Sequence, residues 1–285
     1  MTDLDQILKN FEGWMEYKKT FSYSTKRKYV KIVRLFLIRT GLKFNVSTIN
    51  AFLTDSNRVN NCSNYKYAIK AFLESIGRKD LALDLKVIKR KGRKKVFRHV
   101  PKEEMKTIVN MLPNSFKVLA LFQLKSGCRF IESVTCRAEN FDFNYHADVF
   151  AVTIGAGFSQ TKGDKERKVF LSKNYEKYFR VLMKKPYGYL FLPEKCESMD
   201  EVKLFNFTEN VKRYYNNELT KAARHVGIQT FSSHELRHQF ADNFINAGGT
   251  LEQLRAMLGH VRIDTTLAYV SISERQGIDV IKNIG

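Results

Sequence analysis

The chain has 285 residues, a hydrophobic content of 44% and a formal net charge of +20 at pH 7. This composition excludes global disorder, and no apolar run approaches the roughly 18 residues that a membrane-spanning helix requires. So large a positive charge exceeds what solubility needs and indicates an anionic partner, with nucleic acid ahead of an anionic membrane surface.

The cysteines point to a reducing compartment. Cys62, Cys128, Cys136 and Cys196 form no C-x-x-C pair and no regular framework, which indicates reduced thiols. The chain also opens without a segment typical of a secretory signal. These features predict a soluble protein of the cytoplasm.

The first third predicts a bundle of helices. Apolar residues recur at helical spacing from its start, and Ser24 and Gly41 are predicted to begin and end the second helix. Further helices are predicted over 48–53 and 65–76, the latter with Ile76 on its inward side. The aromatic residues of this region are predicted to form core rather than to stack on bases.

The positive charge is concentrated in the first third. Residues 1–95 hold 22 Lys and Arg against 8 Asp and Glu, and seven of the ten residues in KRKGRKKVFR, 89–98, are basic. Such a run is typical of a linker, and we favour one that tracks phosphates over a hinge that makes no contact. The predicted phosphate-contacting residues are Lys26, Arg27, Lys28, Lys89, Arg90, Lys91, Arg93, Lys94 and Lys95.

The pattern changes at Pro101, which together with two following glutamates is typical of a helix start. A helix is predicted over 116–125. Alternating patterns then predict strands at 141–143, 148–154 and 167–171, with a turn at 161–167 before the last, and helical patterns return after about 200. The predicted fold class is mainly α with a small antiparallel β-sheet, α+β.

The stretch SSHELRH, 232–238, contains His-Glu-x-x-His. On a helix, His234 and His238 share one face and could bind zinc, with the intervening glutamate as general base. A third ligand with a matching pattern is absent, however, and Arg237 would place a fixed cation beside the metal. A zinc protease is therefore a minor alternative, and no metal site is predicted.

Two helices are predicted around this stretch. Ser232 with Glu235, and Thr250 with Gln253, have the spacing of capping boxes. His234 and Arg237 are three residues apart and so share a face of the first helix. The second is predicted to end at a glycine, 259, with a histidine directly after it, and a further short helix would carry Tyr269.

These motifs resemble the tyrosine recombinases, the family of phage-type integrases and Xer-type recombinases. The resemblance rests on H-x-x-R-H at 234–238, L-G-H at 258–260 and a tyrosine nine residues later. Upstream, GCRFIES at 127–133 is similar to the family's G-x-R-x-x-E, and TKGDKERKVFL at 161–171 to its hairpin pattern K-G-x-K-x-R-x-V-x-L. The first third is similar in layout rather than in motif.

The resemblance implies an organisation and a site. It implies a helical core-binding domain at 1–88, a basic linker at 89–100 and a catalytic domain at 101–285. Glu132 and His238 would support the site, as a partner of Arg129 and as a structural residue respectively. The implied catalytic residues are Arg129, Lys162, His234, Arg237, His260 and Tyr269.

The residue types suit phosphoryl transfer. Two guanidiniums, Arg129 and Arg237, can grip the non-bridging oxygens of a phosphodiester, and His260 can donate a further hydrogen bond. Tyr269 is the predicted nucleophile and His234 its base or orienting group. Protonation of the leaving 5′-oxygen is assigned to Lys162, with Lys165 as its competitor.

The predicted function is site-specific DNA recombination through a 3′-phosphotyrosyl intermediate, serving integration, excision or dimer resolution. Because the bond energy is kept in that link, no cofactor, metal or ATP is predicted. The predicted partners are double-stranded DNA and further copies of the chain, assembled as a tetramer on DNA. The alternatives are an inactive DNA-binding regulator of the same fold and a type IB topoisomerase.

Overall fold

The computed structural model describes residues 3–42, 45–55, 62–83, 85, 99–155, 166–184 and 186–260. Two units are distinguished, Met1–Lys95 and Val96–Gly285. None of the described helices is long and apolar enough to span a membrane.

The first unit is helical in its described part. Phe11, Phe36 and Phe72 are buried at its centre, and the ring of Phe72 meets those of Phe11 and Phe36 edge-on at 5.6 and 6.5 Å. For these three residues the prediction that the aromatic side chains form core is confirmed, whereas Tyr17 and Tyr67 are exposed. The helices are α1 (Asp3–Tyr17), α2 (Tyr23–Thr40), α3 (Val46–Thr54), α4 (Cys62–Ser75) and α5 (Lys79–Leu83).

Two details of the predicted helices are wrong. The N-cap of α2 is Ser22 rather than Ser24, because the Ser22 hydroxyl accepts the backbone N–H of Thr25. Ile76 is 43% exposed rather than inward, since α4 ends one residue before it and the chain turns at Gly77. The predicted C-terminal glycine of α2 is confirmed, in the left-handed conformation at φ 62°.

The second unit combines helices with one small sheet. Pro101 stands directly before its first helix, as predicted. Short 3₁₀ turns lie at Ala138–Asn140, Lys173–Tyr175 and Glu194–Ser198. The elements are α6 (Lys102–Met111), α7 (Asn114–Ser126), α8 (Phe130–Val134), β1 (Phe141–Asp142), β2 (Val149–Ile154), β3 (Arg167–Ser172), α9 (Glu176–Arg180), α10 (Glu201–Arg224), α11 (Ser233–Asn246) and α12 (Leu251–Leu258).

The sheet has three antiparallel strands in the order β1-β2-β3. Val152 pairs with Val169 and Phe150 with Leu171, and all four side chains are buried. The three predicted strands are confirmed, and the fold is the predicted α+β class, mainly helical. The predicted turn before β3 falls largely outside the described residues.

The predicted linker also falls largely outside the described residues. Its last two residues, His99 and Val100, belong to the second unit, where the backbone N–H of Val100 donates to the amide oxygen of Gln239 at 2.9 Å. Gln239 lies on α11 and is buried. The chain therefore enters the second unit attached to the helix that carries the H-x-x-R-H motif.

Candidate active site

Arg129 enters the site from the turn that follows α7. Gly127 ends that helix in the left-handed region, at φ 67°, and a Cβ at this position would lie 2.3 Å from the ring of Phe240 and 2.8 Å from Leu258. Glycine is required here both by the conformation and by the close approach of α11 and α12. The reversal places Arg129 immediately before α8, with Glu132 in the first turn of that helix.

Glu132 is the carboxylate around which the arginines of the site gather. It is buried, and its oxygens accept the backbone N–H and the Nη1–H of Arg129, each at 2.8 Å. Nη1 of Arg237 lies 3.9 Å from the same carboxylate. The contact between Glu132 and Arg129 is thus present, and its role in the reaction stays a prediction.

The segment K-G-x-K-x-R contributes one more residue to the site, Arg167, which is not among the predicted catalytic residues. It donates through Nη2 to Oε2 of Glu132 at 2.7 Å and through Nε to the carbonyl of Met257 at 2.9 Å. A signal for it existed in the sequence. Alternation along β3 places Arg167 on the same face as Val169 and Leu171, and an arginine on the apolar face of a strand requires a partner.

Glu132 is ionised in this setting. Burial by itself would raise its pKa, but the hydrogen bond and charge of Arg167 and the charge of Arg129 outweigh that effect, so that the pKa lies below the ordinary value. A buried carboxylate that stays charged holds its cationic partners in fixed positions. Arg129 is therefore anchored at one end while its side chain remains 41% exposed.

Arg237 is buried on α11, with 1% of its surface exposed. It donates through Nη1 to the carbonyl of Gly127 at 2.6 Å and through Nη2 to the carbonyl of Leu258 at 2.8 Å. The same Nη2 lies 2.8 Å from Nε2 of His260. One guanidinium therefore connects the turn before Arg129 with the turn that presents His260.

His260 follows the left-handed Gly259 that ends α12, as predicted. A guanidinium only donates hydrogen bonds, so Nε2 accepts from Arg237 and the imidazole proton resides on Nδ1. Burial, followed by the charges of Arg237, Arg129 and Arg167, lowers the pKa of His260 to about 4. The ring is therefore neutral at pH 7.

The two histidines of H-E-L-R-H lie beside each other on α11. The rings of His234 and His238 are 4.7 Å apart and edge-to-face, with His234 exposed. The helix begins at the predicted capping box, in which Ser232 and Glu235 bond each other. Across the described residues, no group of three His, Cys, Asp or Glu side chains is placed to hold a metal ion.

The assembled side chains favour an anion. Three guanidiniums, those of Arg129, Arg167 and Arg237, surround one carboxylate and a neutral imidazole, so the group carries a net positive charge. Two of these guanidiniums are nearly enclosed, with 11% and 1% of the side chain exposed, whereas Arg129 opens to solvent. A phosphate reaching Arg129 would meet cations already fixed in place.

Several predicted site residues lie outside the described part of the chain. Among the catalytic candidates these are Lys162, its competitor Lys165, and Tyr269. Lys26, Arg27 and Lys28 lie in the first turns of α2, where Arg27 and Lys28 are exposed. Six of the predicted phosphate-contacting residues also lie outside the described part: Lys89, Arg90, Lys91, Arg93, Lys94 and Lys95.

A model described as the phage integrase family matches residues 98–276. The chain belongs to this family. Tyrosine recombinase XerC of Staphylococcus aureus strain JH9 is 25% identical over 271 residues, which cover 90% of this chain and 79% of that protein, and XerC of strain MSSA476 is equally similar over 272 residues. The predicted family is confirmed, and the chain is an enzyme of the tyrosine recombinase type.

Solved structures share the fold. The XerH recombinase bound to difH substrate, in a pre-cleavage complex, gives a TM-score of 0.66 at 14% identity, covering 98% of this chain and 96% of that one. The Tn1549 transposon integrase in complex with transposon right end DNA gives 0.67 at 14% identity, covering 97% and 98%. At this identity the likeness concerns the fold.

Proposed function

We propose that this recombinase cleaves and rejoins DNA strands at specific sites through a 3′-phosphotyrosyl intermediate. The observation that carries the proposal is the cluster in which Arg129, Arg237 and His260 are held around Glu132. A scissile phosphate is the ligand that suits such a cluster, because its transition state gains negative charge on the non-bridging oxygens. The DNA-bound complexes of XerH and of the Tn1549 integrase support DNA as the substrate.

Arg129 and Arg237 have distinct parts in this proposal. Arg129, anchored on Glu132 and open to solvent, would bind the incoming phosphate with its guanidinium. Arg237 would supply positive charge from a buried position, since its donors are already bonded to the carbonyls of Gly127 and Leu258. His260, neutral at pH 7, would donate from Nδ1 to a non-bridging oxygen.

The nucleophile is assigned to Tyr269. Its phenol oxygen would attack phosphorus and form the phosphotyrosyl bond as the bond to the 5′-oxygen breaks. The phenol proton passes to His234 or to solvent, and Lys162 returns a proton to the leaving oxygen, with Lys165 as the alternative acid. Attack by a second 5′-hydroxyl reverses these steps and rejoins the strand without ATP.

The two units divide the work in this proposal. The basic helical unit is assigned the role of a core-binding domain, with Lys26, Arg27 and Lys28 on phosphates, and the run 89–98 tracks the backbone of the duplex. The second unit is the catalytic domain. Four copies would assemble on two DNA sites so that strands can be exchanged.

The proposal is tested by trapping the intermediate. A recombination site is first found by selecting bound genomic fragments, and an end-labelled, nicked site is then incubated with the protein and run on a denaturing gel. Wild type is expected to give a covalent adduct that Tyr269→Phe abolishes while leaving DNA affinity unchanged. A Cys128→Ala variant is the matched control for a different nucleophile and should form the adduct.

Binding to a true site without any adduct would overturn the proposal in favour of the DNA-binding regulator. An adduct accompanied by relaxation of supercoiled DNA, without exchange between two sites, would assign the chain to topoisomerase chemistry instead. Exchange between two labelled sites is the result expected.

A further inference from the structure

Arg167 contacts several residues of the active site, although the proposed mechanism gives it no part. It is the first residue of β3 and pairs with Ile154, the last residue of β2. Its side chain is 11% exposed. A guanidinium is costly to bury, so its position requires compensating bonds.

Those bonds lead to two different parts of the site. Nη1 and Nη2 face the two oxygens of Glu132 at 3.4 and 2.7 Å, in the fork geometry that an arginine and a carboxylate prefer. Glu132 is the carboxylate that holds Arg129. On the other side, Nε donates to the carbonyl of Met257, in the last turn of α12.

The guanidinium also fits against the turn that presents His260. Gly259 has φ 64°, and a Cβ added to it would lie 3.0 Å from Nη1 and 3.1 Å from Cζ of Arg167. The left-handed turn favours glycine here, and any larger residue would also press against Arg167. The guanidinium of Arg167 therefore lies directly against the residue that precedes His260.

From these contacts we propose that Arg167 is a positioning residue, which fixes Arg129 and His260 relative to each other through Glu132 and the Met257–Gly259 turn. The inference rests on the proposed function. Lysine cannot replace arginine here, because an ammonium lacks the planar fork that serves a carboxylate and a carbonyl together. The separation of Arg129 and His260 in the phosphate site would then depend on Arg167, the first residue of β3.

The experiment compares cleavage by wild type, Arg167→Lys and Arg129→Lys on three versions of one nicked site. The first has an ordinary scissile phosphate, the second a methylphosphonate, which lacks one negative charge, and the third a bridging phosphorothiolate, whose thiolate leaves without a general acid. Single-turnover cleavage and DNA affinity are measured for each. Arg129→Lys is the matched control, since it alters the phosphate contact directly.

Arg167→Lys is expected to cleave the ordinary site about 10- to 100-fold more slowly, within the range for loss of one transition-state donor. Its DNA affinity should stay within about threefold of wild type, because phosphate contacts elsewhere supply most of the binding. On the methylphosphonate the ratio of the wild-type cleavage rate to the variant rate should be at least about tenfold smaller than on the ordinary site, as for Arg129→Lys. The reason is that a methylphosphonate has no negative charge and needs less cationic stabilisation. On the phosphorothiolate this ratio should equal that on the ordinary site.

Three results would overturn the positioning role. Rescue by the phosphorothiolate would place Arg167 on the path of the leaving-group proton. An equal defect on all three substrates, with a lowered unfolding temperature, would make it a structural residue. Cleavage by Arg167→Lys at the wild-type rate would show that the contacts of Arg167 do not contribute to catalysis.

A second variant, Arg167→Gln, covers a failure of the first to fold. It removes the charge but retains an amide donor, and it should show the same dependence on the substrate. The wild-type protein separates the two proposals. If it forms no adduct on any of the three sites, the proposed function fails, whereas a wild-type adduct with an unaffected Arg167→Lys variant rejects only the positioning role.

Discussion

The basic residues of α2 and those of the active site differ in burial. On α2 of the first unit the basic side chains line the surface, as with Arg34, which is 50% exposed and pairs with Asp5 at 3.2 Å. In the second unit Arg237 is buried and bonded to two carbonyls and His260. The effects of substituting exposed charges are additive and are screened by salt, whereas substitutions of buried charges that share partners have non-additive effects.

The largest expected effect therefore comes from the buried set. Arg237→Ala removes the donor shared by the Gly127 and Leu258 carbonyls and leaves Glu132 with one cation fewer. We expect cleavage to fall by about 10³-fold and the free energy of unfolding to fall by about 3–5 kcal/mol. Single-turnover cleavage and urea unfolding measure the two effects.

The matched control is Arg255→Ala, on the adjacent helix. Arg255 is bonded to Glu252 on the surface, three residues away, and its loss should change the free energy of unfolding by less than about 0.5 kcal/mol. If Arg237→Ala were as stable as this control and cleaved within tenfold of wild type, the distinction between buried and exposed cations would not hold.

The same contrast explains what the sequence could predict. Caps depend on neighbours in sequence, so the boxes Ser232–Glu235 and Thr250–Gln253 were predictable from spacing alone and are present. The choice between Ser22 and Ser24 was not, because both are serines at the start of one apolar pattern. The structure selects the one whose hydroxyl reaches a free N–H.

The site was predictable in its residue types and not in its connections. Periodicity placed His234 and Arg237 on one face of α11, yet Arg237 is enclosed while His234 is exposed. That difference arises from the approach of the ends of α7 and α12, which are far apart in sequence. Arg167 was missed for the same reason, since its partners lie 35 and 90 residues away.

A smaller effect is expected on α2. Lys28 and Lys31 line a basic surface groove with Arg34, and Lys28→Ala or Lys31→Ala should weaken DNA binding severalfold without changing sequence preference. Each substitution should reduce the slope of log affinity against log salt concentration by about 1. Anisotropy titrations over a range of KCl concentrations measure the slope.

Lys221→Ala is the control for this series. Lys221 is an exposed lysine of the second unit, bonded to Glu218, and lies on no surface assigned to DNA. A slope that changes as much for Lys221→Ala as for Lys28→Ala would show that the loss reflects net charge rather than a contact. An unchanged slope in both α2 variants would remove this face from the DNA interface.

The smallest expected effect concerns His260 and pH. Its pKa is about 4 in the folded protein, against about 6.5 for an ordinary histidine, so the unfolded chain takes up a proton first as the pH falls. The stabilisation by neutral His260 is complete above pH 6.5 and is lost as the pH falls towards 4. Between pH 7 and 4.5, the free energy of unfolding, measured in urea, should fall by on the order of 1 kcal/mol more for wild type than for His260→Gln. The side chain of His146 is 60% exposed, so the stability of His146→Gln should depend on pH as that of wild type does. If the stability of His260→Gln also followed wild type, the loss of stability at low pH would not come from the contact between His260 and Arg237.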